Sequence, residues 1–375
     1  MAENKLKWYN ILAVLFGTIL SFADPVTDIL TLVEFYRANH KMWFGVGLVF
    51  IILPSLLFLF ANLVFEDDRG QCTVWKYTRF FVLGCNPLLP GWLKLQTLFF
   101  YLKKLRNRRK VGNTDQTVET DLDNLLKASK FAVLIEAALE SAPQFIIQLY
   151  AMAVQQEAAS IVQMVSLPVS FLSLAWASVV VDEWIHSDEG DINFSVTDRV
   201  LLFVTHLFIL SSRLFAVALF TVSYKWWVSS VLIFHSTTMT ICDTTIWLCS
   251  QRSFACKDLF LTVLISCFHW LRDDLSMIIG DDEPEHSQIK HFTRMRLVSN
   301  VLLVIENIIM ILLFYFSHFP HTWYSLPVTI CVCLFAVFGA VMRLAHFYSF
   351  KMRLYSGASV TIFLDLDRLE SLKVA

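Results

Sequence analysis

Long apolar runs recur along this chain at the length a bilayer demands. Eight of them, at about Trp8–Phe35, Trp43–Phe65, Lys130–Ala153, Ile161–Val181, Val200–Val222, Trp226–Leu248, Leu297–Phe316 and Trp323–His346, are long enough to cross ~30 Å of hydrocarbon as helices. Two further segments are apolar but interrupted. Phe80–Leu102 contains "GCNPLLPGW", and Asp258–Ile279 contains "CFHWLRDDLSM" with Arg272, Asp273 and Asp274 in its second half. Broken backbone at membrane depth is tolerated only where protein or water surrounds it, so both are read as re-entrant, in-membrane segments. The pattern predicts an all-α polytopic membrane protein with about eight transmembrane helices plus two re-entrant segments. The short alternating strands of a membrane β-barrel are absent from the sequence.

Polar positions break this pattern in an ordered way. Within the first run, "FADPVTDILTLVEFY" (Phe22–Tyr36) holds Asp24, Asp28 and Glu34. At ~100° per residue, Ser21, Asp24, Thr27, Asp28, Thr31 and Glu34 share an arc of roughly 140°. A second stripe, Glu136, Glu140, Gln144 and Gln148, repeats every four residues, with Pro143 to kink the helix. Arg213, Asp243 and Glu306 add charges to later spans, and Asp182 and Glu183 end the fourth. Each charge at the bilayer centre costs ~2.5–3.5 kcal/mol on insertion scales, so the acids must be paired, protonated or hydrated. Arg213 is the one cation placed mid-span by this reading, too few for the acids it would have to neutralise. The stripes therefore read either as packing groups arranged around Arg213 or as a hydrophilic path.

Composition agrees. The chain has 375 residues, 56% hydrophobic and 17% charged, where a soluble domain carries about a quarter charged residues. Mean hydropathy is +0.58. Lys5 and Lys7, the cluster "KKLRNRRK" (Lys103–Lys110), and Lys351 with Arg353 all fall on one side if the number of full spans is even, which the positive-inside rule makes cytosolic. The outside loops are then short: Tyr36–Met42, Val154–Ser160, Ser223–Lys225 and Ser317–Thr322. The sequon at Asn193 lies in the cytosol. The first apolar run is too long for a signal-peptide core. The eight cysteines form no CxxC pair or zinc spacing and read as reduced structural thiols.

The chain divides into two halves of like plan, 1–198 and 199–349, each with four spans and one in-membrane segment (about 80–102 and 258–279), followed by a short cytosolic tail, 350–375. "FAVLIEAALES" and "VLLVIENIIMIL" place Glu136 and Glu306 alike in the third span of each half. No Walker loop, G-x-S-x-G or H-E-x-x-H occurs, so no enzymatic reaction, cofactor or metal is expected. No basic, aromatic-rich patch points to nucleic acid.

"ESAPQFIIQLY" (Glu140–Tyr150) resembles the E-S/T-A-P-Q-L-x-L-Q-L-Y signature of the XK-related proteins. "DPVTDILTLVEFY" (Asp24–Tyr36) is similar to that family's first span, "RLFAVALF" (Arg213–Phe220) to its R-V/I-x-A-x-A-L-F, and "NVLLVIENIIMILL" (Asn300–Leu313) to its F-x-x-E-N-x-x-L-L-L. The resemblance implies eight spans with two in-membrane hairpins in two similar halves. It implies an energy-independent plasma-membrane scramblase that exposes phosphatidylserine on dying cells, with phospholipids as partners and both termini cytosolic. By it, Asp24, Asp28, Glu136, Glu140 and Arg213 line the lipid path, and the polar stripes and charges add Glu34, Gln144 and Glu306 as candidate intramembrane residues. It also implies a partner in the membrane, either a single-span accessory protein or a second copy.

Two departures from the family stand out. Many members are activated when a caspase removes a cytosolic tail. Here the tail is short, and the candidate sites are Asp367 in "FLDLDRLES" and Asp121 in "VETD". One member is disulfide-linked outside the membrane to its partner, whereas the predicted outside loops here lack Cys, leaving only Cys331 or Cys333 if either lies near the surface. The residues alone leave two other readings open. One is a transporter or channel for a small polar solute or cation. The other is a membrane scaffold that docks a cytosolic partner. A scramblase predicts a groove open to lipid, and a transporter predicts acids enclosed by both halves.

Overall fold

Leucine, valine and phenylalanine dominate the apolar runs, and in hydrocarbon a helix satisfies every backbone group within its own segment. The computed structural model describes the backbone of residues 8–66, 88–108, 116–155, 160–187, 195–249, 270–271, 286–318 and 322–346. The described chain is helical, with no strand among the described residues. Its helices are α1 (Trp8–Arg37), α2 (Lys41–Glu66), α3 (Leu89–Arg108), α4 (Gln116–Glu136), α5 (Ala142–Val154), α6 (Ile161–Ser187), α7 (Val196–Tyr224), α8 (Trp227–Cys249) and α9 (His286–His318). α10 is Ser325–His346.

Among the described residues, six stretches are long and apolar enough to cross a membrane: Ile11–Arg37, Ala128–Val154, Ile161–Glu183, Val196–Tyr224, Val298–Ser317 and Ser325–His346. The other two predicted spans coincide with α2 and α8. Of the predicted re-entrant segments, Asp258–Ile279 lies outside the described residues apart from Trp270 and Leu271, and so does the beginning of Phe80–Leu102. The described remainder of the latter is continuous helix. Pro90 sits in the first turn of α3, where a missing N–H costs nothing, so the proline and glycine cluster marks a helix start. α3 continues through Lys103 and Lys104 to Arg108, since Lys, Arg and Leu are good helix formers.

The kink expected at Pro143 appears one turn earlier, as a π-helical turn over Ala137–Ser141. Proline cannot donate to the carbonyl four residues back and its ring crowds it, so the helix widens, and the Ala142 N–H reaches the Ala137 carbonyl. α1 ends in a Schellman motif. His40 N–H bonds the Phe35 carbonyl at 2.9 Å and Asn39 N–H the Tyr36 carbonyl at 3.1 Å, with Asn39 at φ 60°. Asparagine is one of the few non-glycine residues that accept this conformation. α7 starts from a capping box, in which Ser195 and Asp198 satisfy each other's backbone N–H groups.

The stretch Ala128–Val154 is the centre of the bundle, 78% buried, against 28% for Ser325–His346 at the rim. One core joins α4, the π turn, α5, α6 and α7 around Val133, Phe145, Leu174 and Leu214. A second joins α7, α9 and α10 around Val217, Ile311, Phe314 and Val332. α1 packs against α6, α3 and α2. Glu34 meets Ser160 and, in the other half, Ser223 meets Ser317, so the predicted outside turns of each half come together at one end. Cys331 on α10 is exposed and Cys333 half-buried, both as free thiols.

Candidate functional site

α1 turns its polar stripe inward. Ser21, Asp24, Asp28 and Thr31 are all buried, with Asp28 at 0% exposure. Pro25 and the flanking Leu, Val and Ile residues leave this face as the only continuous polar one on the helix. α6 faces it with buried Gln163, Ser166, Ser170 and Ser173, spaced three and four residues apart. Asp28 Oδ1 accepts from Gln148 Nε2 at 2.9 Å, Ser166 Oγ at 2.9 Å and Ser170 Oγ at 3.1 Å. Asp24 Oδ2 accepts from Ser141 Oγ at 2.6 Å. The π turn carries both Ser141 and Glu140, so the widened turn is what sets them against α1.

Glu136 and Glu140 complete a cluster of four buried carboxylates. Glu136 Oε2 accepts from Ser21 Oγ at 3.4 Å. Among the described residues, Asp24 Oδ1, Asp28 Oδ2, Glu136 Oε1 and Glu140 Oε1 have no hydrogen-bond partner. Glu140 also lines a small cavity with Pro54, Ser55, Leu89, Pro90, Ala132 and Ile135. Lys94, from α3, reaches this cluster, donating to Ser21 Oγ at 2.6 Å and to the Gly17 carbonyl at 3.2 Å. At the far end of α1, Glu34 accepts from Ser160. From Gly17 to Glu34 the polar column runs about 25 Å at 1.5 Å per residue, close to the thickness of the hydrocarbon core.

Arg213 does not belong to this column. Fully buried on α7, it donates to the Trp270 carbonyl at 2.8 Å and to Asn307 Oδ1 at 2.9 Å, and pairs with Glu306 at 3.3 Å. His235 of α8 lies 2.7 Å from the same Glu306 carboxylate. The arrangement in which Asp24, Asp28, Glu136 and Glu140 pack around Arg213 is therefore corrected. α7 presents Arg213 to α9, while α1 presents its acids to α6 and the π turn. Gln144 ties α5 to α2 by donating to the Gly47 carbonyl at 2.6 Å. Near the ends of α6 and α7, buried Asp182 and His206 approach to 2.5 Å, and Arg199 pairs with Glu183. Asp121 falls within α4, its side chain outside the described residues, and Asp367 lies outside them altogether.

Sequence reasoning missed Lys94, the α6 serines, Asn307, His235 and the Trp270 carbonyl. The serine spacing "SLPVSFLS" was visible as a small polar stripe. Lys94 stands alone between apolar neighbours in "GWLKLQ", and a lysine in such a setting signals an internal partner.

The sequence model of the XK-related protein family matches residues 12–352. The chain is 23% identical over 375 aligned residues to the endoplasmic reticulum membrane adapter protein XK of Pan troglodytes, covering 90% of this chain and 83% of that protein. It is 27% identical over 218 residues to XK-related protein 8 of Tetraodon nigroviridis, covering 57% of this chain and 54% of that protein. XK-related protein 9 of the same fish is 28% identical over 187 residues, covering 47% and 48%.

Proposed function

The chain belongs to the XK-related family, and from that premise we propose that it is an energy-independent phospholipid scramblase, catalysing no chemical reaction. It acts in the plasma membrane with both termini in the cytosol and exposes phosphatidylserine and other lipids. The polar column of α1 carries this reading. At about 25 Å it is close to the thickness of the hydrocarbon core, and its buried carboxylates keep oxygens without a hydrogen-bond partner among the described residues. Such a column lowers the barrier for a headgroup that would otherwise cross bare hydrocarbon, while the acyl tails stay in the bilayer. Headgroup ammonium suits the acids. The surplus of acids argues against an anion-selective pore. Asp24, Asp28, Glu136 and Glu140 form the path, with Glu34 at its mouth.

The test is reconstitution of the purified chain in liposomes carrying a fluorescent lipid, with a membrane-impermeant quencher added outside. A scramblase takes the signal well below the half that inner-leaflet lipid preserves. Asp24→Asn with Asp28→Asn cuts the rate while leaving a monodisperse protein. A rate unchanged by this pair refutes the column. Removing residues from about Ser356 onward tests whether the tail, and with it caspase cleavage, controls the activity.

A second reading draws on the adapter named among the relatives. In it the chain is a membrane scaffold for a cytosolic partner. It predicts a signal that stays at half in both full-length and trimmed forms.

A further inference from the structure

Lys94 is 7% exposed, and the groups around its ammonium are those that would bind a small organic cation. Its Nζ has the Gly17 carbonyl at 3.2 Å and Ser21 Oγ at 2.6 Å. Ser21 Oγ donates in turn to Glu136 Oε2 at 3.4 Å, and Asp24 lies one helical turn beyond Ser21 on the same buried face. Those two acids keep Oε1 and Oδ1 buried and without hydrogen bonds, so the column has acceptor capacity beyond what Lys94 uses. The helix that brings Lys94 in is fitted closely to α1. A Cβ on Gly91 would lie 3.1 Å from both the Ser21 carbonyl and the Phe22 ring, and a Cβ on Gly17 would lie 3.5 Å from the Lys94 Nζ.

We propose that Lys94 is the tethered occupant of a primary-ammonium site built by Gly17, Ser21, Asp24 and Glu136, and that α3 is the plug that holds it there. The ligand class is a primary ammonium, supplied either by a free alkylammonium ion or by the amino group of a serine or ethanolamine headgroup. The site stands on the geometry. Its occupation by lipid during transport rests on the scramblase reading. When α3 withdraws, the headgroup ammonium takes the place of Lys94 on Ser21 and the Gly17 carbonyl.

The full-length chain with Lys94→Ala is melted in detergent in ethylammonium, sodium or tetramethylammonium chloride at equal concentration. K94A is expected to melt about 3 °C or more below the native chain. Ethylammonium recovers part of that loss, sodium and tetramethylammonium do not, and the native curve does not respond. A K94A curve that the three salts move equally, or not at all, overturns the site. Should K94A not fold, Lys94→Gln keeps a donor of similar reach and removes the charge. K94Q is expected to melt below native and to scramble a fluorescent lipid faster. A melting point and a rate both equal to native overturn the proposal. With fluorescent phosphatidylethanolamine and phosphatidylcholine in the same liposomes, the gain in K94Q should be larger for the primary amine. Absence of scrambling in native and variant alike refutes the scramblase reading instead, and the melting curves still decide the ammonium site.

Discussion

Arg213→Met removes the best-satisfied charge in the bundle. The guanidinium is fully buried and distributes its donors among the Trp270 carbonyl, Asn307 and Glu306. Losing it takes a donor from two acceptors, at about 1–3 kcal/mol for each left unsatisfied. It also removes the guanidinium from a largely buried ion pair, which costs about 3–5 kcal/mol when one partner is deleted. These costs overlap, so the expected destabilisation is about 3–5 kcal/mol rather than their sum. Arg213→Lys keeps the charge but cannot reach three partners in different directions, and should lose less. The measurement is unfolding in mixed micelles titrated with a denaturing detergent, followed by tryptophan emission. Glu306→Gln in the R213M background should cost less than in the native chain, a coupling of about 1–3 kcal/mol. Asp28→Asn shares no partner with Arg213, so its effect should add to that of R213M within about 0.5 kcal/mol. Coupling of R213M to D28N as large as its coupling to E306Q would refute the division into two separate networks.

Ser166→Ala with Ser170→Ala takes two of the three donors from Asp28 Oδ1 and should lower stability by about 1–3 kcal/mol per serine, read as a fall in melting temperature. Gly91→Val pushes against Phe22 and the Ser21 carbonyl and should cost about 1–3 kcal/mol. Gly45→Ala, which meets nothing within 4 Å, should be neutral or stabilising by about 0.5–1 kcal/mol, and the two thermal melts together check the close α1–α3 approach. Under the proposed topology a glycosylation acceptor inserted between Val154 and Ser160 is modified in microsomes and Asn193 is not, and the reverse pattern would invert the orientation.

The fold was legible where a single helix decides it. Periodicity alone put Asp24 and Asp28 on one face, and every apolar run named from the sequence is helical wherever it is described. Pro143 announced a distortion, though its form as a π turn depended on how the preceding turn relieves the ring. What could not be read was which helix faces which. Arg213 looked like the natural partner of the acids because it was the one cation found at mid-span. Its partners include the Trp270 carbonyl and Glu306 and Asn307, adjacent residues on a helix more than ninety positions away. Lys94 lies within Phe80–Leu102, a segment read as re-entrant rather than as a span. The serines that satisfy Asp28 belong to α6, and no pattern within α1 points to them.

The enclosure of the acids bears on how the column would work. A scramblase was expected to open its stripe to lipid, and a transporter to close it between halves. Neither description fits, because every wall described around Asp24 and Asp28 comes from the first half of the chain. Under the scramblase reading, a headgroup must therefore part helices within that half. The α1–α6 seam is fastened through Asp28 by Ser166 and Ser170, and Glu34 closes its end on Ser160. The α1–α3 seam is fastened through Lys94 alone among the described side-chain hydrogen bonds. Lys94 also places its ammonium on Ser21, whose hydroxyl donates to Glu136, beside Asp24. Opening that seam exposes carboxylates and removes their cation in one movement. It makes room in the column and at the same time creates the demand that a headgroup ammonium meets, whereas opening the α1–α6 seam would strip hydrogen bonds from Asp28 and leave Lys94 in place.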